Sequence, residues 1–257
     1  MLPVLTGDDA NTLTGGSSDP VEAGVRGEDQ LMTERPASPA AEAAGGPAPH
    51  YLPAMGRRWL LPLYDPFTRL LGVRRIHAQL LDRADVRPGS RVLEIGCGTG
   101  NLLLLAKHRC PAADVVGLDP DPDAVRRVRR KAARAGAQVQ VDLGYAADLP
   151  YRDGSLDRVL SAFMLHHVNP AEIPQVLAEI RRVLRPGGSL HVVDIVGGHP
   201  ARGPLRWLTR RSQRLAHSSP DPDRLVALLS AAGFSDAART GQGSTRMGGY
   251  AFYRATA

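Results

Sequence analysis

The sequence predicts an α/β chain folded as a doubly wound, mostly parallel sheet, and three observations carry that expectation. The first is Val92–Gly100, Val-Leu-Glu-Ile-Gly-Cys-Gly-Thr-Gly, where an apolar run leads into glycines at every second position. Leu102–Ala106 continues as helix former, so the stretch reads as a buried strand, a tight turn and the first turn of a helix. The second is the alternation of apolar runs with helix-period segments from there to Val196. The third is an acid, Asp119, closing the second apolar run 19 residues after Gly100. An acid there is placed to hold the paired hydroxyls of a ribose.

Composition narrows the class. With 257 residues, 43% of them hydrophobic, the chain can build a sizeable core as one domain with an appendage or as two small ones. No apolar run approaches the ~20 residues that span a bilayer. Met1–Ala10 has no basic residue ahead of an apolar core, so no secretory signal is expected. Cys97 and Cys110 make no disulfide framework, and Cys97 is expected to fill space as a reduced thiol in a cytoplasmic protein. The net charge of +6 is unevenly spread: residues 1–50 hold eight acids and two arginines, a net of −6, which leaves +12 on the remainder. Much of that excess sits on one expected helix, at Arg126, Arg127, Arg129, Arg130 and Lys131. A compositional bias towards arginine accounts for it, and no nucleic-acid partner is expected.

In order, residues 1–50 are rich in Gly, Ala, Pro and acids and read as a disordered tail. From Tyr51 the chain turns apolar and aromatic, and Phe67–Leu71 and Arg74–Arg83 read as short helices, the second with Ile76, Leu80 and Leu81 on one face. The first strand ends at the glycine turn; Asn101–His108 is a helix and Asp114–Leu118 the second strand. Asp121 caps a helix over Pro122–Ala135, with proline at its first position and Gly136 at its end. Val139–Leu143 is strand three, Leu156–Met164 strand four, Ile173–Leu184 a helix, and Arg185-Pro186-Gly187-Gly188 a stop before strand five, Ser189–Val196. Arginine-rich Gly197–Ser219 breaks the alternation. Asp221–Ala232 is a last helix, and Phe234–Thr240 and Met247–Arg254 pair around Gly241-Gln242-Gly243.

The turn at Gly96 would give backbone angles closed to other residues, Gly98 close approach of a ligand to the main chain, and Gly100 close packing of the new helix on the strand. Free N–H groups at that helix start favour an anionic group. Ser161 and Phe163 fall at the carboxyl end of strand four, where ligands lie in such sheets. His166 and His167 follow, and a histidine there is a candidate general base, with packing and capping as the other reading. Adjacent side chains at a helix start are expected to diverge, and no cysteine or carboxylate cluster joins them, so no metal is expected.

Glu94-Ile95-Gly96-Cys97-Gly98-Thr99-Gly100 resembles the first motif of class I S-adenosylmethionine (SAM)-dependent methyltransferases. A dinucleotide fingerprint counted from Gly96 would instead need glycine at Asn101. Leu149-Pro150-Tyr151 and Asp153-Gly154-Ser155-Leu156-Asp157 are similar to the segment that flanks adenine in the methyltransferases related to quinone biosynthesis. One position departs: the acid that usually follows the glycine, where it takes a hydrogen bond from the adenine amino group, is Tyr145 here, which leaves the base to the main chain at Ala146 with Tyr145 packing nearby. Leu184-Arg185-Pro186-Gly187-Gly188 ahead of an apolar strand is a further likeness. The resemblance covers Val86–Gly188 by motif. It implies a Rossmann-like seven-stranded sheet of order 3-2-1-4-5-7-6, the last strand antiparallel, with helices on both faces. It also implies SAM as methyl donor to a small-molecule acceptor such as a phenol, quinone or lipid. Cofactor contacts are expected at Glu94, Gly96, Cys97, Gly98, Gly100, Asp119, Pro120, Tyr145, Ala146 and Ser161, with His166 or His167 as base. The domains would be a tail (1–50), a helical lid or cap (51–85) and a methyltransferase domain (86–257) with a lid insertion at 197–219. A basic amphipathic insertion also suits a membrane surface, so peripheral membrane contact stays open. Two other classes stand beside this one: a non-catalytic SAM- or lipid-binding module, and a nicotinamide oxidoreductase, opposed by Asn101 and by the lack of a Tyr-x-x-x-Lys pair. The sequence carries no signal for oligomeric state.

Overall fold

The computed structural model describes residues 72–196, 222–245 and 248–257. Strands β1 (Arg91–Ile95), β2 (Asp114–Asp119), β3 (Gln140–Leu143), β4 (Leu156–Ala162), β5 (Leu184–Val196), β6 (Ser235–Thr245) and β7 (Gly248–Thr256) form one sheet of order β3-β2-β1-β4-β5-β7-β6. The first five strands pair in parallel, while β7 runs antiparallel to both β5 and β6. This is the Rossmann-like order that the resemblance implied. Helices α1 (Val73–Ala84), α2 (Asn101–Arg109) and α3 (Pro122–Ala135) share one core cluster, and α4 (Ile173–Val183) and α5 (Pro222–Ala231) contribute to the other.

The strands are apolar throughout because both faces are covered. Leu93, Ile95, Val116, Leu118, Val159 and Val192 join α4 and α5 in one core, while Val92, Val115, Leu160 and Val193 join α1–α3 in the other. Neighbouring residues alternate between the two cores, as a period of two requires. Each enclosed Leu, Ile or Val contributes roughly 1.5–3 kcal/mol, so both faces hold the sheet. Helix α3 is bounded as its residues dictate: the Asp121 carboxylate accepts from the Asp123 N–H at 2.8 Å, Pro122 opens the helix, and Gly136 closes it at φ +61°.

Several boundaries differ from the sequence expectation. Strand β4 ends at Ala162 rather than Met164, because Phe163 turns to φ +56° and donates its N–H to the Val193 carbonyl at 2.8 Å. Strand β5 begins at Leu184, which pairs with Leu156 and so leaves α4 one residue early. Arg185–Gly188 is therefore an irregularity inside the β4–β5 ladder, not a stop before it. Gly241-Gln242-Gly243 is not the hairpin turn: these residues pair with Phe252, Ala251 and Tyr250, and β6 runs on to Thr245. A Cβ on Gly241 would lie 2.9 Å from the Arg83 guanidinium, and one on Gly243 would collide with the Tyr250 hydroxyl. Those glycines make room for side chains rather than for a bend. The expected tail (1–50), the Phe67–Leu71 helix and the insertion at 197–219 lie outside the described residues. Among the described residues no helix is long and apolar enough to cross a membrane.

Candidate active site

Register brings the candidate residues together. Ile95 is level with Leu118 on β2 and Ser161 on β4, so the Gly96 turn, Asp119 and the end of β4 leave the sheet side by side at its carboxyl edge. A Cβ at Gly98, φ +52°, would meet nothing within 4 Å, so its main chain faces open space. Gly100, φ +74°, is packed instead: a Cβ there would come 2.6 Å from Val128 Cγ1. The close approach that Gly100 serves is thus to α3, not to the strand. At Gly96 a Cβ would collide with the Met164 side chain, which lays the residues after β4 over the turn. Cys97 points inward, buried, and its N–H donates to the Leu118 carbonyl at 3.0 Å. Burial and the nearby carboxylates of Glu94 and Asp119 push the Cys97 thiol up, so it is a spacer and no nucleophile. Lys131, in the sequence one of the basic residues of a single expected helix, donates its ammonium to the Thr99 carbonyl and to Asn101 Oδ1, both at 2.8 Å, and so pins the turn from α3.

Two acids line this edge. Asp119 is buried; its Oδ2 accepts from the Gly98 N–H at 2.7 Å and its Oδ1 from the Asp121 N–H at 2.9 Å. It therefore ties β2 to the glycine turn, while Asp121 caps α3. Burial raises the Asp119 carboxyl, and these two backbone donors offset part of the rise. Glu94 is enclosed beside it, and burial together with Asp119 holds its carboxyl well above the usual range. Its Oε2, like the Oγ of Ser161, is buried without a hydrogen-bond partner among the described residues. Such atoms cost roughly 1–3 kcal/mol each when left unmet, so they mark a place where a polar ligand completes the protein.

At the end of β3, Tyr145 is 41% exposed, and Pro120 and Ala146 are half-buried. Below them Leu149 and Tyr151 are enclosed, and the Tyr151 hydroxyl donates to Asp142 at 3.0 Å. This loop is held by a clamp that the sequence did not announce. Arg182 on α4 donates to the Leu149 and Tyr151 carbonyls, to Asp153 and to Glu179, and Glu179 accepts from the Leu149 N–H at 2.8 Å.

The two histidines lie in a 3₁₀ turn, Leu165–His167. Their rings do not diverge: the centroids are 4.0 Å apart at 40°, because the short turn brings neighbours closer than an α-helix start would. His166 is buried; its Nδ1 lies 2.6 Å from Asp194 Oδ1, and its N–H donates to Asp194 Oδ2 at 3.1 Å. Burial and the adjacent His166 lower His167 to about 4, which makes it a weak base. Asp194 was missed in the sequence; the available signal was a lone acid inside the apolar strand His191–Val196. Phe163, in a backbone region that costs a bulky residue of order 1–3 kcal/mol, faces His77 of α1 with ring centroids 6.4 Å apart. Strain of this kind gathers at functional sites.

Residues 92–188 match the methyltransferase domain family. Over 201 residues the chain is 33% identical to a demethylmenaquinone methyltransferase of Thermus thermophilus, covering 68% of this chain and 90% of that one. The chain belongs to the class I SAM-dependent methyltransferases of the ubiquinone/menaquinone type. A nocamycin O-methyltransferase of Saccharothrix syringae is 37% identical over 54% of this chain and 55% of its own length. Three other curated relatives are matched over 33%, 51% and 59% of their lengths. Among solved structures, a SAM-dependent methyltransferase from Aquifex aeolicus superposes with a TM-score of 0.60 at 19% identity, covering 76% of this chain and 96% of that one. For this methyltransferase SAM is the methyl donor, and the nicotinamide and non-catalytic alternatives fall away.

Proposed function

We propose that the chain methylates a small-molecule acceptor bearing a hydroxyl, of phenol or quinol type, using SAM held at the Gly96–Gly100 turn. The observation that carries the cofactor site is the enclosed, unpartnered Oε2 of Glu94 beside that turn. Burial and Asp119 favour the protonated Glu94 carboxyl in the empty site; a cationic ligand beside Oε2 would favour the carboxylate and meet its lone pairs, and SAM brings an ammonium and a sulfonium. Gly98 lets the ligand reach the main chain, Asp119 offers its remaining lone pairs to ribose hydroxyls, and Pro120, Tyr145 and Ala146 border the adenine. Gly96, Cys97 and Gly100 act by shaping the turn, and the unmet Ser161 Oγ is a further contact.

When bound, the donor supplies an electrophilic methyl on a sulfonium. The protein's part is to hold the nucleophile in line and keep water out, and orientation supplies much of the rate. His166 is preferred to His167 as base because its ring is fixed by Asp194 while burial keeps His167 weak. The name of the nocamycin O-methyltransferase supports transfer to oxygen, while the relatives named for demethylmenaquinone and for quinone C-methylation support a quinol-type ring and make carbon the competing acceptor atom. We assign the methyltransferase unit to residues 86–257 and acceptor selection to 51–85 and 197–219. Incubation of the protein and labelled SAM with naphthohydroquinone, catechol and a neutral lipid tests the reading. Methylated product from the hydroxylic compounds is expected; transfer to the lipid alone would refute the acceptor class.

A further inference from the structure

We propose that Asp194 is a positioning residue for this reaction, holding His166 with its proton on Nδ1 so that Nε2 presents a lone pair to the acceptor hydroxyl. The inference rests on the function proposed above and narrows it to acceptors that must lose a proton.

Asp194 lies at the carboxyl end of β5, on the same sheet face as Leu190 and Val192, and is buried. A carboxylate in that position is costly unless its lone pairs are met. Three donors meet them, and two come from one residue: His166 gives its ring Nδ1 to Oδ1 at 2.6 Å and its backbone N–H to Oδ2 at 3.1 Å. The third, the Ile195 N–H, reaches Oδ1 at 2.7 Å. Gripping both the backbone and the ring of one residue fixes the ring's rotation as well as its place. A carboxylate at Asp194 can only accept, which assigns the proton of the contact to Nδ1, and a ring holding that single proton carries its lone pair on Nε2. Nε2 makes no hydrogen bond among the described residues.

A stabilising role alone explains this arrangement poorly, since a buried carboxylate met only by neutral donors still bears much of its desolvation cost and apolar packing there would bear none. Placement argues for chemistry. The pair closes the carboxyl ends of β4 and β5, two residues beyond the Met164 that lies over Gly96. In the step it serves, the acceptor oxygen forms a bond to the methyl carbon as the carbon–sulfur bond breaks with its electron pair returning to sulfur. The hydroxyl proton passes to His166 Nε2, and Asp194 stabilises the resulting imidazolium until the proton leaves to solvent. A nucleophile with a free lone pair and no acidic proton would need none of this.

Nitrogen-15 NMR of the histidine rings tests the proposal on the whole protein, with and without S-adenosylhomocysteine (SAH). In the unmodified protein His166 is expected as the Nδ1–H tautomer in both states; an Nε2–H tautomer would overturn the proposal with no variant needed. In Asp194→Ala the Nδ1–H signature should be lost while SAH still binds; retention of that tautomer would equally overturn it. With naphthohydroquinone as acceptor, kcat of Asp194→Ala should fall by about a hundredfold or more at unchanged KM, the size of a general-base contribution. A kcat equal to that of the unmodified protein would confine Asp194 to structure. Failure of SAH to bind would count against the cofactor site instead, and the tautomer of the unliganded protein separates the two.

Discussion

Alanine at Gly98 and at Gly100 should fail in opposite ways, although the two lie two residues apart in one turn. Both positions have left-handed backbone, at φ +52° and +74°, so each alanine carries a conformational cost of roughly 1–2 kcal/mol. At Gly98 the new methyl enters open space and adds nothing. At Gly100 it arrives 2.6 Å from Val128 Cγ1, inside a fully buried contact, and overpacking adds roughly 1–3 kcal/mol. For a chain of this size each kcal/mol moves Tm by about 2–4 °C, so the expected losses are about 2–8 °C for Gly98→Ala and about 4–20 °C for Gly100→Ala. Calorimetry with SAH should reverse the order, because the Gly98 methyl occupies the ligand's approach: Gly98→Ala loses more affinity, Gly100→Ala less. Trimming the clash in Gly100→Ala with Val128→Ala should show coupling of about 0.5–3 kcal/mol in a double-mutant cycle. Equal Tm losses for the two single variants, or unchanged SAH affinity in Gly98→Ala, would refute the division of roles within the turn.

Further expectations concern the acids and the clamp. Glu94→Gln should stabilise the unliganded protein and abolish SAM binding. Because burial and Asp119 raise the Glu94 carboxyl, the folded state binds more protons than the unfolded one, and that contribution is complete below the usual value of 4.5 and falls away as pH rises above it. The Tm advantage of Glu94→Gln should therefore grow between about pH 5 and about pH 8, and an advantage that shrinks over that range would contradict the assignment. Arg182→Ala removes donors to two carbonyls and two carboxylates and should cost about 1.5–3 kcal/mol in urea unfolding, with raised hydrogen exchange at Leu149. Unchanged exchange there would show that Arg182 does not hold the loop. Lys131→Met should weaken SAH binding by loosening Thr99 and Asn101, and an affinity equal to the unmodified protein's would deny it that role.

The order of the sheet came from the family resemblance, whereas the turns and caps at its edge were legible where one residue type answers to one physical demand. Left-handed glycines at Gly96, Gly98 and Gly100, an acid ending β2 and a cap at Asp121 followed by Pro122 each satisfy a local rule, although the close contact that Gly100 serves proved to be with Val128 of α3. What escaped depends on pairs distant in the chain. Lys131 looked like one more charge on a basic helix face; only the docking of α3 on the glycine turn turns it inward. Asp194 and His166 are 28 residues apart, and nothing local to either announces the other. Gly241 and Gly243 read as a turn because glycine serves bends and close contacts alike, and the side chains of Arg83 and Tyr250 decide which. Arg182 likewise gathers groups from a loop some 30 residues earlier, a role no periodicity reveals.

Titration calorimetry of SAM and SAH against the whole protein and against Asp119→Ala tests the central claim most directly. The account predicts micromolar binding of both ligands, lost in the variant, because Asp119 both lines the site and holds the Gly98 main chain in place. No heat of binding in the unmodified protein, or equal affinity in Asp119→Ala, would contradict the placement of the cofactor at this edge of the sheet.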